Sequence, residues 1–97
     1  MDIERDAIAG TLESSDVLVR VSPHPVLEVD LTSAVEAQYG DDIRQLIDDT
    51  LRRLGVQAGR IVIEDRGALD CTVRARLEAA VARSTDQPLD YAALGEA

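Results

Sequence analysis

Two adjacent hydroxyl side chains, Ser14 and Ser15, lie in a polar tetrapeptide over residues 13–16. The tetrapeptide interrupts two apolar runs, 7–12 and 17–21, that alternate as strands do. At a turn between strands, a primary hydroxyl is exposed on a rigid support, which a transferase needs in order to attach a bulky group. Ser and Asp are also ordinary turn residues, so this pattern alone indicates a polar turn.

The other residue types that could do chemistry are isolated. His24 is the only histidine and lies between two prolines, so we expect an exposed loop residue and neither a triad nor a metal site. Cys71 is the only cysteine, which excludes an intramolecular disulfide, and we predict a buried small hydrophobe. The acidic residues are spread along helix and strand faces, so no acid-base pair is predicted.

The composition is strongly acidic. Ten arginines and no lysine stand against 19 acidic residues, for a formal net charge of −9. Nucleic-acid binding requires the opposite sign, and membrane-surface binding is disfavoured for the same reason. The charge is typical of a partner of larger, locally basic proteins, although acidity that only maintains solubility would look the same.

The length of 97 residues, with no Trp or Phe, predicts one domain with a modest core and little material for a walled substrate pocket. The first residues have neither the basic start nor the apolar run of a signal peptide. No segment reaches the apolar length that crosses a bilayer, so we expect a cytoplasmic protein.

Three strands are predicted early in the chain, over residues 7–12, 17–21 and 27–31, because apolar and polar side chains alternate there. Two prolines make the segment between the second and third strands a loop. We expect the three strands to pair as antiparallel neighbours joined by polar turns, the first of which carries Ser14.

Helical spacing begins after the third strand. Ser33 and Glu36 have the spacing of a capping box, which predicts one or two turns ending at Gly40. A longer amphipathic helix follows Asp41 and ends at Gly55.

A β-branched fourth strand is predicted over 60–64, followed by a second helix capped by Asp70. The element order β-β-β-α-β-α predicts an α+β fold, with a small antiparallel sheet and two main helices on one face. Residues 1–83 are predicted to form the domain, and residues 84–97 a loosely held tail.

Two separate stretches resemble one protein family. Residues 9–17, Ala-Gly-Thr-Leu-Glu-Ser-Ser-Asp-Val, resemble the N-terminal signature of the citrate lyase acyl carrier protein, the gamma chain. Residues 65–79, Asp-Arg-Gly-Ala-Leu-Asp-Cys-Thr-Val-Arg-Ala-Arg-Leu-Glu-Ala, resemble the C-terminal block of that family, and residues 33–44 are similar in pattern. The resemblance covers about residues 3–83.

The resemblance implies a non-catalytic carrier. In this family, a serine in Glu-Ser-x-Asp bears phosphoribosyl-dephospho-coenzyme A through a phosphodiester, and that serine corresponds to Ser14. Ser15 stands where the family commonly has glycine and is the second candidate. Glu13 and Asp16 flank the attachment point, where they either contact a basic rim on a partner or keep the turn solvated.

The implied partners are a citrate lyase alpha chain (the acyltransferase), a beta chain (the lyase) and the transferase that attaches the group. The thiol of the group would carry acetyl and citryl thioesters between the two chains, and any metal would belong to the lyase chain. Tethering keeps such an intermediate at high effective concentration near both active sites.

Other carriers and one other class stay open. Carriers of citramalate lyase or malonate decarboxylase have related groups, whereas a conventional phosphopantetheine carrier is disfavoured because its Asp-Ser-Leu tripeptide is absent here. An acidic interaction module without a prosthetic group would have the same composition, and its mass would distinguish it from a carrier. A small autonomous enzyme is the least supported, since no residues of suitable type are clustered.

Overall fold

The structure is a computed structural model that describes residues 1–85, so the predicted tail lies outside the described residues from position 86 onward. The elements are β1 (Ala7–Gly10), β2 (Val17–Ser22), β3 (Leu27–Ser33), α1 (Glu36–Leu54), β4 (Gly59–Asp65) and α2 (Asp70–Ser84). The predicted α+β class and the predicted element order are confirmed.

The strands form one sheet in the order β1-β2-β4-β3. β2 pairs antiparallel with both β1 and β4, whereas β3 runs parallel to β4. The predicted antiparallel pairing of the second and third strands is therefore wrong, and the sheet is mixed. The prolines between β2 and β3 disfavour a tight hairpin, while the helix between β3 and β4 supplies the crossover that parallel neighbours require.

Both helices pack on one face of this sheet, as predicted, and enclose a single core. Each helix contributes a buried apolar stripe. The buried residues of these stripes are Ile43, Ile47, Leu51 and Leu54 from α1, with Val73, Leu77, Ala80 and Val81 from α2. β4 lies inside the sheet and supplies Ile61 and Ile63, both completely buried on the face that the helices cover.

α1 differs from its prediction at its start. It runs through Gly40 without a break, because the buried packing of the helix outweighs the cost of one glycine, about 1 kcal/mol. The N-cap of the helix is Val35 and not Ser33, so the predicted capping box that begins at Ser33 is wrong. The Ser33 hydroxyl instead accepts the Val35 N–H at 3.1 Å and donates to Asp65 Oδ2 at 2.8 Å.

The C-terminus of α1 is the one predicted. Gly55 has φ 74°, in the left-handed region, and its N–H donates to the Arg52 carbonyl at 3.1 Å. The Val56 N–H donates to the Leu51 carbonyl at 3.0 Å, which completes a Schellman motif.

The N-cap of α2 lies one residue before the predicted one. Its N-cap is Leu69, so Asp70 is the first helical residue and the predicted Asp70 cap is wrong. An acid in the first turn still complements the helix dipole. The preceding loop is held by Asp65, a buried carboxylate that accepts the Ala68 N–H at 3.0 Å.

Candidate functional site

The β1–β2 loop, residues 11–16, lies at the end of the sheet where both helices begin. Gly10 pairs with Leu18, and Val17 pairs with Asp65, the last residue of β4. The loop is therefore next to the segment that leads from β4 into α2. Strand pairing on both sides of β2 therefore fixes the two ends of the loop that contains the predicted attachment turn.

Ser14 and Ser15 occupy the two central positions of a turn closed by a bond from the Asp16 N–H to the Glu13 carbonyl, at 3.1 Å. Both serines are exposed, as the sequence predicts for Ser14. The turn is tied to the chain after β4: the Ser15 N–H donates to the Arg66 carbonyl at 2.8 Å, and the Arg66 N–H donates to the Asp16 carbonyl at 2.9 Å. Ser14 thus protrudes between anchored neighbours.

Ser15 has φ 64° and is the only non-glycine residue with positive φ in the described part of the chain. This is the left-handed region, in which glycine has no steric cost and an L-residue has one. Glycine, which the resembled family commonly has at this position, therefore fits the backbone geometry directly. The conformation at position 15 requires no hydroxyl.

The Asp16 carboxylate is engaged inside the loop on both oxygens. Oδ2 accepts the Thr11 hydroxyl at 2.7 Å, and Oδ1 accepts the Val17 N–H at 2.8 Å. The Arg76 guanidinium donates to both oxygens, at 3.3 and 3.2 Å, and so joins α2 to the loop. These contacts, led by the Thr11 hydroxyl and then the Val17 N–H, lower the pKa of Asp16 to about 2. The Thr11 hydroxyl oxygen also accepts the Glu13 N–H, at 3.1 Å.

The two acids that flank the serines therefore differ. The side chain of Asp16 is only 15% exposed and holds the loop together, whereas Glu13 is an exposed residue at the turn. Glu13 is the acid that a partner protein can reach. The sequence alone did not distinguish them.

Gly10, at the end of β1, is also required by the structure of the loop. Its φ is 88°, and a Cβ built there would lie 1.8 Å from the Val17 carbonyl oxygen and 3.3 Å from Cδ of Arg76. The backbone of β2 and the Arg76 side chain both occupy the space beside it. Sequence reasoning missed Gly10, Thr11 and Arg76 as site residues. Arg76 has no local signal, because its contact with Asp16 spans 60 positions. Gly10 and Thr11 lie in the stretch 9–17 that resembles the carrier family, and this resemblance was the signal that could have found them.

The isolated residues have other surroundings. His24 lies in the β2–β3 loop, as predicted, with Nδ1 3.0 Å from the Val26 carbonyl oxygen. Cys71 is exposed, so its predicted burial is wrong: the buried stripe of α2 begins at Val73, and Cys71 lies outside it in the first turn.

Within residues 1–85, no group of three or more His, Cys, Asp or Glu could hold a metal ion. No helix of that range has the length and apolarity to span a membrane.

Comparison with known proteins defines the class. A family model for acyl carrier proteins, described as malonate decarboxylase delta subunit, matches residues 4–84. A chain of a Pseudomonas malonate decarboxylase hetero-tetramer, solved in complex with malonate, superposes with a TM-score of 0.77 over 86% of this chain and 87% of that chain. At 24% identity this likeness shows a common fold. Fold and family model together define a small α+β acyl carrier protein.

Closer relatives name the family more narrowly. The citrate lyase acyl carrier protein of Haemophilus influenzae is 44% identical over 94 residues, which cover 97% of this chain and 99% of the relative. That of Pectobacterium atrosepticum is 51% identical over 87 residues, covering 89% and 91%. The chain belongs to the family of citrate lyase acyl carrier proteins. The predicted family is confirmed, and with it the prediction of a non-catalytic carrier.

Proposed function

We propose that the chain carries phosphoribosyl-dephospho-coenzyme A, attached through a phosphodiester to Ser14 Oγ. The observation that carries this proposal is an exposed hydroxyl at the tip of a turn whose neighbours on both sides are anchored. A bulky substituent on an exposed side chain displaces no packed atoms. The residues at the turn therefore fit a large attached group.

Ser14 is preferred to Ser15 as the attachment point. The left-handed backbone at Ser15 suits the glycine that the resembled family commonly has there, so a hydroxyl at that position is dispensable. The Ser15 N–H also fixes the turn through Arg66. Ser15 acts in this proposal through its backbone and Ser14 through its side chain.

The attached group supplies a thiol that carries acetyl and citryl as thioesters. The residues of the chain itself hold the anchor in place. Two backbone hydrogen bonds join the turn to Arg66. The Asp16 carboxylate accepts further hydrogen bonds from Thr11, Val17 and Arg76. A fixed anchor with a long attached arm keeps the acyl group at high effective concentration near the active sites of partner chains.

The proposed partners are an alpha chain (acyltransferase), a beta chain (lyase) and the transferase that attaches the group. The net charge of −9 favours docking on locally basic surfaces, and Glu13 is the exposed acid nearest to Ser14 in sequence. The Pseudomonas relative in fold is part of a hetero-tetramer, which supports a role within an assembly. The cytoplasmic location stays a prediction.

A carrier of malonate decarboxylase is the second candidate, because the matching family model is described by that enzyme. Identities of 44% and 51% to citrate lyase carriers, against 24% to the chain of the Pseudomonas decarboxylase, favour citrate lyase. Reconstitution separates them: the loaded chain should restore citrate cleavage to carrier-free citrate lyase and should not restore malonate decarboxylation. A citramalate-cleaving complex is tested in the same assay with citramalate as substrate.

The experiment that tests attachment is the intact mass after co-expression with the modifying enzymes, followed by tryptic mapping. Ser14 and Ser15 fall in one tryptic peptide, residues 6–20, so variants are needed to separate them. We expect the wild type and Ser15→Gly to gain the mass of the group, and Ser14→Ala to remain unmodified. An unmodified wild type would remove the proposal, and modification of Ser14→Ala would move the site.

A further inference from the structure

A cleft of about 660 Å3 lies between the start of α1 and the segment that joins β4 to α2. Val35, Tyr39 and Ile43 line it on the α1 side, and Ala68 and Leu69 on the other. Tyr39 and Leu69 are 53% and 72% exposed, which is notable for large apolar side chains placed together. The volume lies in the range of small-molecule pockets.

Among the described side chains that line the cleft, the charged ones are Asp42 and Asp70, and none is an arginine. Two carboxylates beside an apolar floor repel phosphate and accept an uncharged chain that carries amide donors. The preferred ligand is therefore elongated, uncharged and partly apolar. This description fits the pantetheine end of a coenzyme-A-like group and excludes its phosphates.

The cleft begins close to the proposed attachment point. The Ser15 N–H bonds to the Arg66 carbonyl at 2.8 Å, and the next residue, Gly67, lines the cleft. Ser14 and Gly67 are within about 13 Å along this path, since paired backbones lie about 5 Å apart and consecutive Cα atoms 3.8 Å apart. A coenzyme-A-like arm attached to Ser14 is longer than this separation.

We infer that this cleft binds the uncharged, thiol-bearing end of the group attached to Ser14 whenever no partner chain holds it. The inference rests on the proposed function and adds a resting position on the carrier itself. Because the ligand is tethered, its effective concentration is high and a weak site is well occupied. The bound end of the group stays in the cleft, away from bulk solvent, until a partner chain competes for the arm.

Cys71 is a built-in reporter for this site, because it lines the cleft and is exposed. The test compares the chain without the group and the chain with the group, after intact mass has established loading. Each is treated with iodoacetamide, and alkylation is followed on the tryptic peptide 67–74, which contains Cys71 and is separate from the peptide of Ser14. Amide chemical shifts of the two forms supply a second readout.

We expect the attached group to slow alkylation of Cys71 by roughly threefold or more, as a tethered ligand that occupies the cleft most of the time would do. Leu69→Gln, at a 72% exposed position inside the cleft, should return the rate to that of the unloaded chain. Val26→Gln is the matched control, since Val26 is an exposed apolar residue at the opposite end of the sheet, and it should leave the protection intact. Shift changes should concentrate on residues 35–43 and 67–71.

Equal alkylation rates in a chain shown to be loaded, without shift changes in the cleft, would overturn the inference and leave the proposed function standing. Protection that persists in Leu69→Gln would also overturn it, because the group would then cover Cys71 without using the cleft. A chain that gains no mass would overturn both the inference and the function on which it rests.

Discussion

The guanidinium of Arg76 donates to both carboxylate oxygens of Asp16, at 3.3 and 3.2 Å, and so links α2 to the loop that presents Ser14. The contact joins residues 60 positions apart. It makes the orientation of the turn at residues 13–16 depend on the docking of α2 on the sheet. The stability of the turn can therefore be tested at a residue distant from it in sequence.

Replacing Arg76 by Gln should loosen the loop while leaving the serine in place. We expect attachment of the prosthetic group to slow by roughly 3- to 30-fold, because a less fixed hydroxyl reaches the reactive geometry less often. Amide hydrogen exchange at Ser15 should become faster at the same time. Arg53→Gln, at an exposed position in the last turn of α1, is the control and should change neither quantity. Unchanged exchange in Arg76→Gln would contradict the anchoring role.

Gly10→Ala should destabilise the fold by about 3 kcal/mol, since it adds both a left-handed strain and a clash. The new Cβ would meet the Val17 carbonyl oxygen at 1.8 Å. Gly67→Ala is matched in backbone, with φ 85° against 88°, but nothing lies within 4 Å of its Cβ, so it should cost only about 1 kcal/mol. Urea unfolding measures both, and equal costs would show that the contact with β2 relaxes freely.

Ser15→Gly should raise the free energy of unfolding by about 0.5 kcal/mol. Relief of the positive φ, 64° in the structure, is larger than the added backbone entropy of glycine in the unfolded chain. Ser14→Gly relieves no such strain and should lower the stability by a similar amount, about 0.5 kcal/mol. Urea unfolding of the two variants gives opposite signs if the turn has the described conformation, and equal signs if it does not.

The lowered pKa of Asp16, about 2 against an ordinary value of 3.8, makes its loop network sensitive to acid. A carboxylate with a lowered folded pKa contributes its full stability above 3.8 and loses it as the pH falls through about 2. Asp16→Asn should therefore unfold more readily than the wild type at neutral pH, and the difference should shrink between pH 3.8 and 2. Thermal unfolding across this range is the measurement, and a difference that grew on acidification would contradict the assignment.

Glu13→Gln should slow attachment without a change in stability if the transferase recognises this exposed acid. We expect a roughly threefold lower rate at low ionic strength, which salt should diminish, because screening weakens exposed charge pairs. Asp16→Asn should slow attachment as well, but together with a loss of stability. An attachment rate for Glu13→Gln equal to wild type would leave Glu13 as a solvating residue only.

The sequence by itself determined the local elements. Periodicity two and periodicity 3.6 are properties of short windows, so strands, amphipathic helices and the glycine end of α1 could be predicted from them. The polar interruption over residues 13–16 likewise marked a turn between strands. The choice of Ser14 as the attachment point required the family resemblance, because turn residues alone do not distinguish a modified serine from an ordinary one.

Only the tertiary structure decided how these elements meet. β4 lies between β2 and β3 because pairing energies and crossover geometry act over the whole chain, and no local pattern records them. For the same reason the contact of Asp16 with Arg76 was invisible in the sequence, which left Asp16 open between partner recognition and solvation of the turn. The structure shows that this carboxylate holds the loop together. The exposure of Cys71 followed from which side of α2 the core selects, and the cleft beside it exists only because two helix starts are brought together.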